Sequence, residues 1–548
     1  MEEEKKLPIS KRTILIASAL VLAIGIPIAY LLWSNAQEDA GAWYNSSWLY
    51  RRSLSVANGG SELTNEDVLI EYDTAALVTA GKLQSDCDDL RFVDSDDSTA
   101  LAYWVEGGCN TSTTHIWVRI PTLPNGGKTI YMYYGNNAAT NAEETWTGEF
   151  YLMKNSACDT GWTTESSSGG DFYLKFPYPA STFGTTGGAS SHDHGSTSLT
   201  SSTYSVGANT TNSTGNNIAA YHSHTLSVPI ETNTSVLPPY LDMIFCSNND
   251  LIVKQNTVTV FASSAPSGFT QFSALDGVLP RGNSSYTGTS AGATTHTHST
   301  TQTVSNGPSD TTYCAVGSNA TPPTDTHTHI FSSSTTGAGD HVPPYMTVVF
   351  GQANADIMAP SATIVMSNNT PPLGWTRYSA LDGNFPYGAT SYGTTGGTTT
   401  HTHSVSITSG NESATVSCLT TANPKVALPR THTHTATGNT GTYSNNPPYI
   451  STLFIQKKTS QSVTVNNEEI NNTAPNAPSA LTTETATNPT GVTDTTPEFS
   501  SLYTDPDSDD AAHYQIQVNT ASNFGGTVMW DSTQTAATIT HNSRSSEI

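Results

Sequence analysis

Pro372-Leu373-Gly374-Trp375-Thr376, followed by Ser379-Ala380-Leu381-Asp382-Gly383, returns upstream as Pro266-Ser267-Gly268-Phe269-Thr270 and Ser273-Ala274-Leu275-Asp276-Gly277. A third copy keeps Gly161-Trp162-Thr163, and has Phe176-Pro177-Tyr178 where the last copy has Phe385-Pro386-Tyr387. It lacks the Ser-Ala-Leu-Asp-Gly segment. All three copies close on Pro-Pro-Tyr, at Tyr240, Tyr345 and Tyr449, and an apolar strand such as Met346–Phe350 follows each time. From the histidine pairs to the closing tyrosine the copies are offset by 104 or 105 residues. The middle of the chain is therefore an internal triplication, with copies at 152–250, 251–354 and 355–458. Ser, Thr, Asn and Gly dominate its polar residues, which favours strands and turns over helices. The fold class expected is mainly β.

Inside the copies lie six His-X-His pairs. The first set is His192/His194, His296/His298 and His401/His403, and the second is His222/His224, His327/His329 and His432/His434. In a strand, residues i and i+2 share a face, so each pair presents two imidazoles together. Imidazole is the common ligand of zinc, iron, copper and nickel. One such pair is more often a surface feature of a Thr-rich strand. Six in register point to a metal, iron, zinc or nickel, against a plainer reading of neutral imidazoles stacked in hydrogen-bonded ladders.

The copies resemble bacteriophage tail-collar and tail-fibre tip domains. The resemblance rests on the Gly-Trp opening and on Gly187-Gly188 or Gly396-Gly397 before the first pair. It also rests on Leu428-Pro429-Arg430-Thr431-His432-Thr433-His434 and on the ending Asn445-Asn446-Pro447-Pro448-Tyr449 with its strand. It implies a trimeric arrangement with a metal on the threefold axis, held by one His-X-His from each subunit, and a role in receptor recognition and support. With three copies in one chain, the expectation is a single-chain pseudo-trimer with two six-imidazole sites, octahedral in character. The alternative is three tetrahedral sites, each using the four histidines of one copy. Cys314 and Cys418 sit at near-equivalent positions after the first pairs of copies two and three, and a disulfide between them would favour the pseudo-trimer.

Outward from the repeats, residues 42–150 read as one β-domain, with alternating runs at His115–Ile120 and Thr129–Tyr134 closed by Pro121 and Gly135-Asn136. Trp43-Tyr44-Asn45-Ser46-Ser47-Trp48, Tyr50-Arg51-Arg52, Asp88-Asp89-Leu90-Arg91-Phe92 and Ile130–Asn136 resemble an uncharacterised domain common in exported bacterial and archaeal proteins. That resemblance implies a β-sandwich without a catalytic role. Asp94, Asp96 and Asp97 offer carboxylates suited to calcium, or simply a solvated turn. Beyond the repeats, 459–480 reads as a linker. Residues 481–548 resemble part of a fibronectin-type-III-like module, through Phe499, Asp505-Pro506-Asp507 and Tyr514–Val518, and the sequence stops before the strands that would close it.

At the N-terminus, residues 1–12 carry Lys5, Lys6, Lys11 and Arg12 ahead of an uncharged apolar run, 13–33. Such a run is long enough to span a bilayer as a helix, with the cations on the cytoplasmic side and the rest outside. A signal peptide cleaved near Ser34-Asn35-Ala36 is the rival. Export suits disulfides: Cys87 with Cys109 and Cys158 with Cys246 are the natural local pairs, although six cysteines allow other connectivities. Only 12% of residues are charged and the net charge is −25, which argues against a nucleic-acid partner. No nucleophile elbow, phosphate loop or His-Glu-x-x-His motif is present in a supporting context. The expected function is adhesion to, or binding of, a surface receptor or glycan. A membrane-anchored viral or proviral spike is the alternative, and a metal-dependent hydrolase the distant third.

Overall fold

The computed structural model describes residues 44–544 apart from 46, 203, 206–220, 231–233, 250–251, 301–302, 307–309, 312–323, 326–327, 411–414, 418–426, 430–432, 474, 487–497, 507–510, 520–526, 532–534 and 541. The described residues are mainly β. Among them no helix is long and apolar enough to cross a membrane; the expected anchor, 13–33, lies outside them. The chain divides into two compact units, one of residues up to 144 together with those from 461, the other of 145–460.

The first unit holds β1 (Tyr50–Val56), β2 (Leu63–Tyr72), the short helix α1 (Thr74–Thr79), β3 (Arg91–Val93), β4 (Ala100–Leu101), β5 (Tyr103–Glu106), β6 (Thr114–Leu123) and β7 (Lys128–Tyr134). One sheet runs β4-β3-β7-β1 and the other β2-β6-β5. Alternate side chains of both, Leu54, Phe92, Ile130 and Met132 against Val68, Ile70, Ile116 and Val118, form one apolar core, as period-2 patterning requires. Asp89, within the stretch that carries the domain resemblance, is a structural clamp. Its carboxylate accepts the N–H groups of Gln84, Gly135 and Asn136 at 2.9, 3.0 and 3.2 Å, and its carbonyl accepts the Trp48 indole N–H at 3.0 Å. A disulfide joins Cys87 to Cys109.

The segment read as a linker contains strands. Val463–Val465 pairs with Leu54–Val56 and Ile470–Asn471 with Tyr50–Arg51, extending the first sheet beyond β1. The alternating Val463 and Val465 rest on the core. The Glu469 carboxylate holds the join, accepting the Tyr134 hydroxyl at 2.6 Å and pairing with Arg52 and Lys82. From Ser479 the described strands pair two by two: Ser479–Thr483 with Phe499–Leu502, Ala511–Tyr514 with Thr535–Ile539, and Gln517–Asn519 with Val528–Asp531.

In the second unit the three copies close into a ring. Their opening strands, Phe150–Lys154, Thr257–Phe261 and Thr363–Ser367, each pair with both of the others and with the closing strand of their own copy, Tyr240–Asn248, Tyr345–Ala353 or Tyr449–Lys457. A side strand of each copy then runs parallel to the closing strand of the copy before it. Leu279–Gly282 lies beside copy one, Phe385–Gly388 beside copy two, and Phe176–Pro179 of copy one beside copy three. The register is the same each time: Tyr240 faces Leu279, Tyr345 faces Phe385 and Tyr449 faces Phe176. Phe176, Leu279 and Phe385 are fully buried together. Where copies one and three carry Tyr178 and Tyr387, copy two has Arg281, which forks onto Asp242 at 2.7 and 3.0 Å and lies over the Tyr240 ring. Copy one fills the place of its missing Ser-Ala-Leu-Asp-Gly with Phe172: its carbonyl abuts Gly282 as that of Leu275 abuts Gly388. A disulfide joins Cys158 to Cys246; Cys314 and Cys418 lie outside the described residues.

Candidate metal centre

Three short hairpins carry the first histidine set. Ser191–His192 pairs with Thr234–Ser235, Thr295–His296 with Gly339–Asp340, and Thr400–His401 with Tyr443–Ser444. The ring of copies turns them inward. Ligand nitrogens of His192, His194, His296, His401 and His403 all lie within 4.8 Å of one another. His298 joins them, with its ring centroid 5.1, 5.0 and 4.8 Å from those of His192, His194 and His403. Contacts run across copies as well as within them: His401 Nε2 is 3.1 Å from His192 Nε2, and His403 Nε2 is 3.2 Å from His296 Nε2. Within pairs the separations are 3.0 Å in copy one and 3.2 Å in copy two.

The outward-facing nitrogens fix what the inward ones carry. His194 Nδ1 and His403 Nδ1 each lie 2.8 Å from a carbonyl oxygen, of Gly441 and Gly337. A carbonyl only accepts, so these Nδ1 atoms carry hydrogen and the Nε2 atoms carry lone pairs. His401 follows the same logic. Asn445 donates through Nδ2 to Thr398 at 2.8 Å, so its Oδ1 accepts from His401 Nδ1 at 2.5 Å. For His296 the chain is one step longer. His341 Nε2 lies 3.3 Å from the Leu237 carbonyl, and in the tautomer that donates there its Nδ1 accepts from His296 Nδ1 at 3.0 Å. In that tautomer His296 Nε2 and His403 Nε2 face each other at 3.2 Å with lone pairs on both. Two lone pairs so placed suit two ligands of one cation.

Edge lengths test the fit. With metal–nitrogen bonds of about 2.1 Å, adjacent ligand atoms are about 3.0 Å apart in an octahedron and about 3.4 Å apart in a tetrahedron. The observed 3.0–3.2 Å edges lie nearer the octahedron. Burial, followed by the mutual repulsion of the rings, pushes His192 down to about 3, and His296 down to about 2. Burial likewise takes His194 to about 4, against the Gly441 hydrogen bond. His401 and His403 are held below the ordinary value for the same leading reason. Rings kept neutral are rings ready to ligate.

The second set lies at the far end of the hairpins that follow. Ser196–Thr200 pairs with Thr225–Pro229, and Ser404–Thr408 with Thr435–Asn439. Next, Ser201 Oγ and Ser409 Oγ each accept the backbone N–H of His224 or His434 at 2.8 Å. There His224, His329 and His434, all buried, bring ligand nitrogens within 4.8 Å of one another, with ring centroids 4.6–4.8 Å apart. His434 Nδ1 lies 2.9 Å from the Ser202 carbonyl, which puts its hydrogen on Nδ1. The side chains of His222, His327 and His432 lie outside the described part of the structure. Between the sets, Leu199, Leu226, Val228, Phe331, Val405 and Ile407 form a buried apolar plug. Five strand residues separate the sets by about 17 Å, so the first pair of a copy does not converge with that copy's His224, His329 or His434. That separation does not suit the tetrahedral alternative.

Asp94, Asp96 and Asp97 do not converge either. Asp97 is buried against Arg51 and Tyr133, Asp94 pairs with Lys128 at 2.6 Å, and Asp96 accepts from Ser98 and Thr99 to close the turn. Each carboxylate already has protein donors, and the calcium expectation gives way to the turn. Sequence reasoning missed the outer partners His341, Asn445, Gly337 and Gly441. Their only sequence signal is position: His341 and Asn445 each stand four residues before a closing tyrosine.

Among known families, residues 86–165 match a domain of unknown function, DUF2341. The match covers β3 to β7 and runs on past residue 144. No curated protein and no solved structure matches the chain significantly.

Proposed function

We propose that the chain is an exported, surface-displayed binding protein whose central unit is a single-chain version of a tail-collar-like trimer, held shut by metal. Three copies take the place of three subunits, and residues 13–33 serve as the membrane anchor. The observation that carries the reading is the first histidine set: ligand nitrogens of five imidazoles from three copies lie within 4.8 Å of one another, with the His298 ring beside them, and outer acceptors turn the Nε2 lone pairs of His194, His401 and His403 inward. His192, His194, His296, His298, His401 and His403 would hold an iron, nickel, cobalt or six-coordinate zinc ion. A metal bound there supplies cohesion between copies, since six protein ligands leave no position for substrate, unlike hydrolytic sites with three. Both disulfides suit an oxidising compartment. Segments between the two histidine pairs, such as 305–325, are the proposed contacts to a surface receptor or glycan.

The test is binding of the purified ectodomain, from residue 42, to cells and to a glycan panel. Replacing 305–325 by a Gly/Ser linker is expected to remove binding while cobalt loading persists. Chelator-sensitive hydrolytic turnover, or binding indifferent to every such replacement, would overturn the reading.

A further inference from the structure

The three first-set hairpins are alike in backbone and unlike in one buried side chain. Four residues before each closing tyrosine stand Val236, His341 and Asn445. Their backbone roles are the same, each N–H donating to a carbonyl of its own hairpin, at Ser190, Thr294 or Thr399, at 2.9–3.0 Å. Their side chains differ in what they offer the histidine beside them. Asn445 accepts from His401 Nδ1 and is itself anchored twice to Thr398, at 2.8 Å each. His341 accepts from His296 Nδ1 and is anchored to the Leu237 carbonyl. Val236, 1% exposed, offers nothing. His192 Nδ1 is buried with no hydrogen-bond partner among the described residues.

A ligating histidine whose outer nitrogen donates to a fixed acceptor is held in the right tautomer and orientation and is the stronger base; losing that partner costs about 10–100-fold in metal affinity. Resting on the metal-staple reading above, we infer that positions 236, 341 and 445 are the positioning residues that grade the three copies' grip on the first-set ion, and that Val236 makes His192 the corner from which the ion leaves. Asn445 and His341 clamp two corners of the site. In copy one, among the described residues, His192 Nδ1 has no acceptor and the Tyr443 ring stacks on His192 at 4.3 Å.

The experiment measures release of cobalt(II) from the loaded ectodomain into excess chelator, with the cobalt absorption spectrum as a check on coordination. The first-set phase is the one that His403→Ala abolishes. Val236→Asn supplies the acceptor that copy three already uses, and Ala189 is the register equivalent of Thr398, whose carbonyl anchors Asn445. Release is expected to slow by about 10-fold or more. His341→Val, which gives copy two the residue of copy one, is expected to speed it by a similar factor, and His341→Asn to leave it near wild type with an unchanged spectrum. Slower release cannot come from a damaged fold, and recovery by Asn where Val fails separates positioning from packing. Equal rates in Val236→Asn, His341→Val and the wild type would overturn the inference while leaving the staple standing. A wild-type ectodomain that takes up no first-set cobalt would overturn the staple, and the inference with it.

Discussion

At the scale of single residues, the centre is set by which imidazole nitrogen carries hydrogen. Carbonyls of Gly337 and Gly441 make that choice for His403 and His194, and Asn445 makes it for His401. The pH dependence follows. In the folded chain His192 sits at about 3 against an ordinary 6.5 because burial disfavours its charged form. Below pH 6.5 the unfolded chain takes up protons that the folded chain refuses, so stability falls as pH drops from about 6.5 towards 3 and levels off below. Acid also competes with metal for the same lone pairs. Denaturant midpoints of the metal-free ectodomain should decline across that window. A variant with His192, His194 and His296 replaced by Asn should show a flatter decline; equal slopes would contradict the assignment. The paired histidines were legible in the sequence because i and i+2 share a strand face. Their outer partners were not, since two are backbone carbonyls, and the third position reads Val, His and Asn in the three copies.

At the scale of elements, the joints between copies are made where glycine is needed. Gly188, Gly292 and Gly397 have φ of +73°, +79° and +72°. A Cβ on each would lie 1.9, 2.1 and 2.0 Å from the carbonyl oxygen of Pro447, Pro238 and Pro343, always in the preceding copy of the ring. Gly397→Ala therefore meets both a disfavoured backbone and a blocked joint, and should cost on the order of 2–3 kcal/mol. Gly393→Ala, at φ +100° with open space around it, should cost only about 1 kcal/mol. Urea unfolding of the two variants checks the difference, and equal losses would count against the joint. Phe176→Ala, which empties the shared core under the closing strands, should cost about 3–5 kcal/mol. The Gly-Gly and Pro-Pro-Tyr motifs were visible as repeats, but that they meet between copies depends on ring closure. The strands Val463–Val465 and Ile470–Asn471 escaped notice because three-residue and two-residue strands carry too little periodicity to stand out from a Thr- and Asn-rich stretch. Copy one's Phe172 escaped because it fills the site of Leu275 and Leu381 from a different local sequence.

At the scale of the whole molecule, ring closure joins three copies within one chain. Copy one's side strand pairs with copy three's closing strand, so among the described residues each copy's closing strand takes its side strand from the same chain. The ectodomain is accordingly expected to be a monomer by light scattering, and a stable trimer would show that the copies close between chains instead. The triplication, the mainly β class and the register of the histidine pairs are readable in the sequence; whether the pairs gather across copies or within one is not. That choice turned on the apolar plug of Leu199, Leu226, Val405 and Ile407 that keeps the sets apart. Elemental analysis of the purified ectodomain, before and after chelation, bears on it most directly. Two transition-metal ions per chain, one for each histidine set, is the expected count. None at all, or three, would contradict the account.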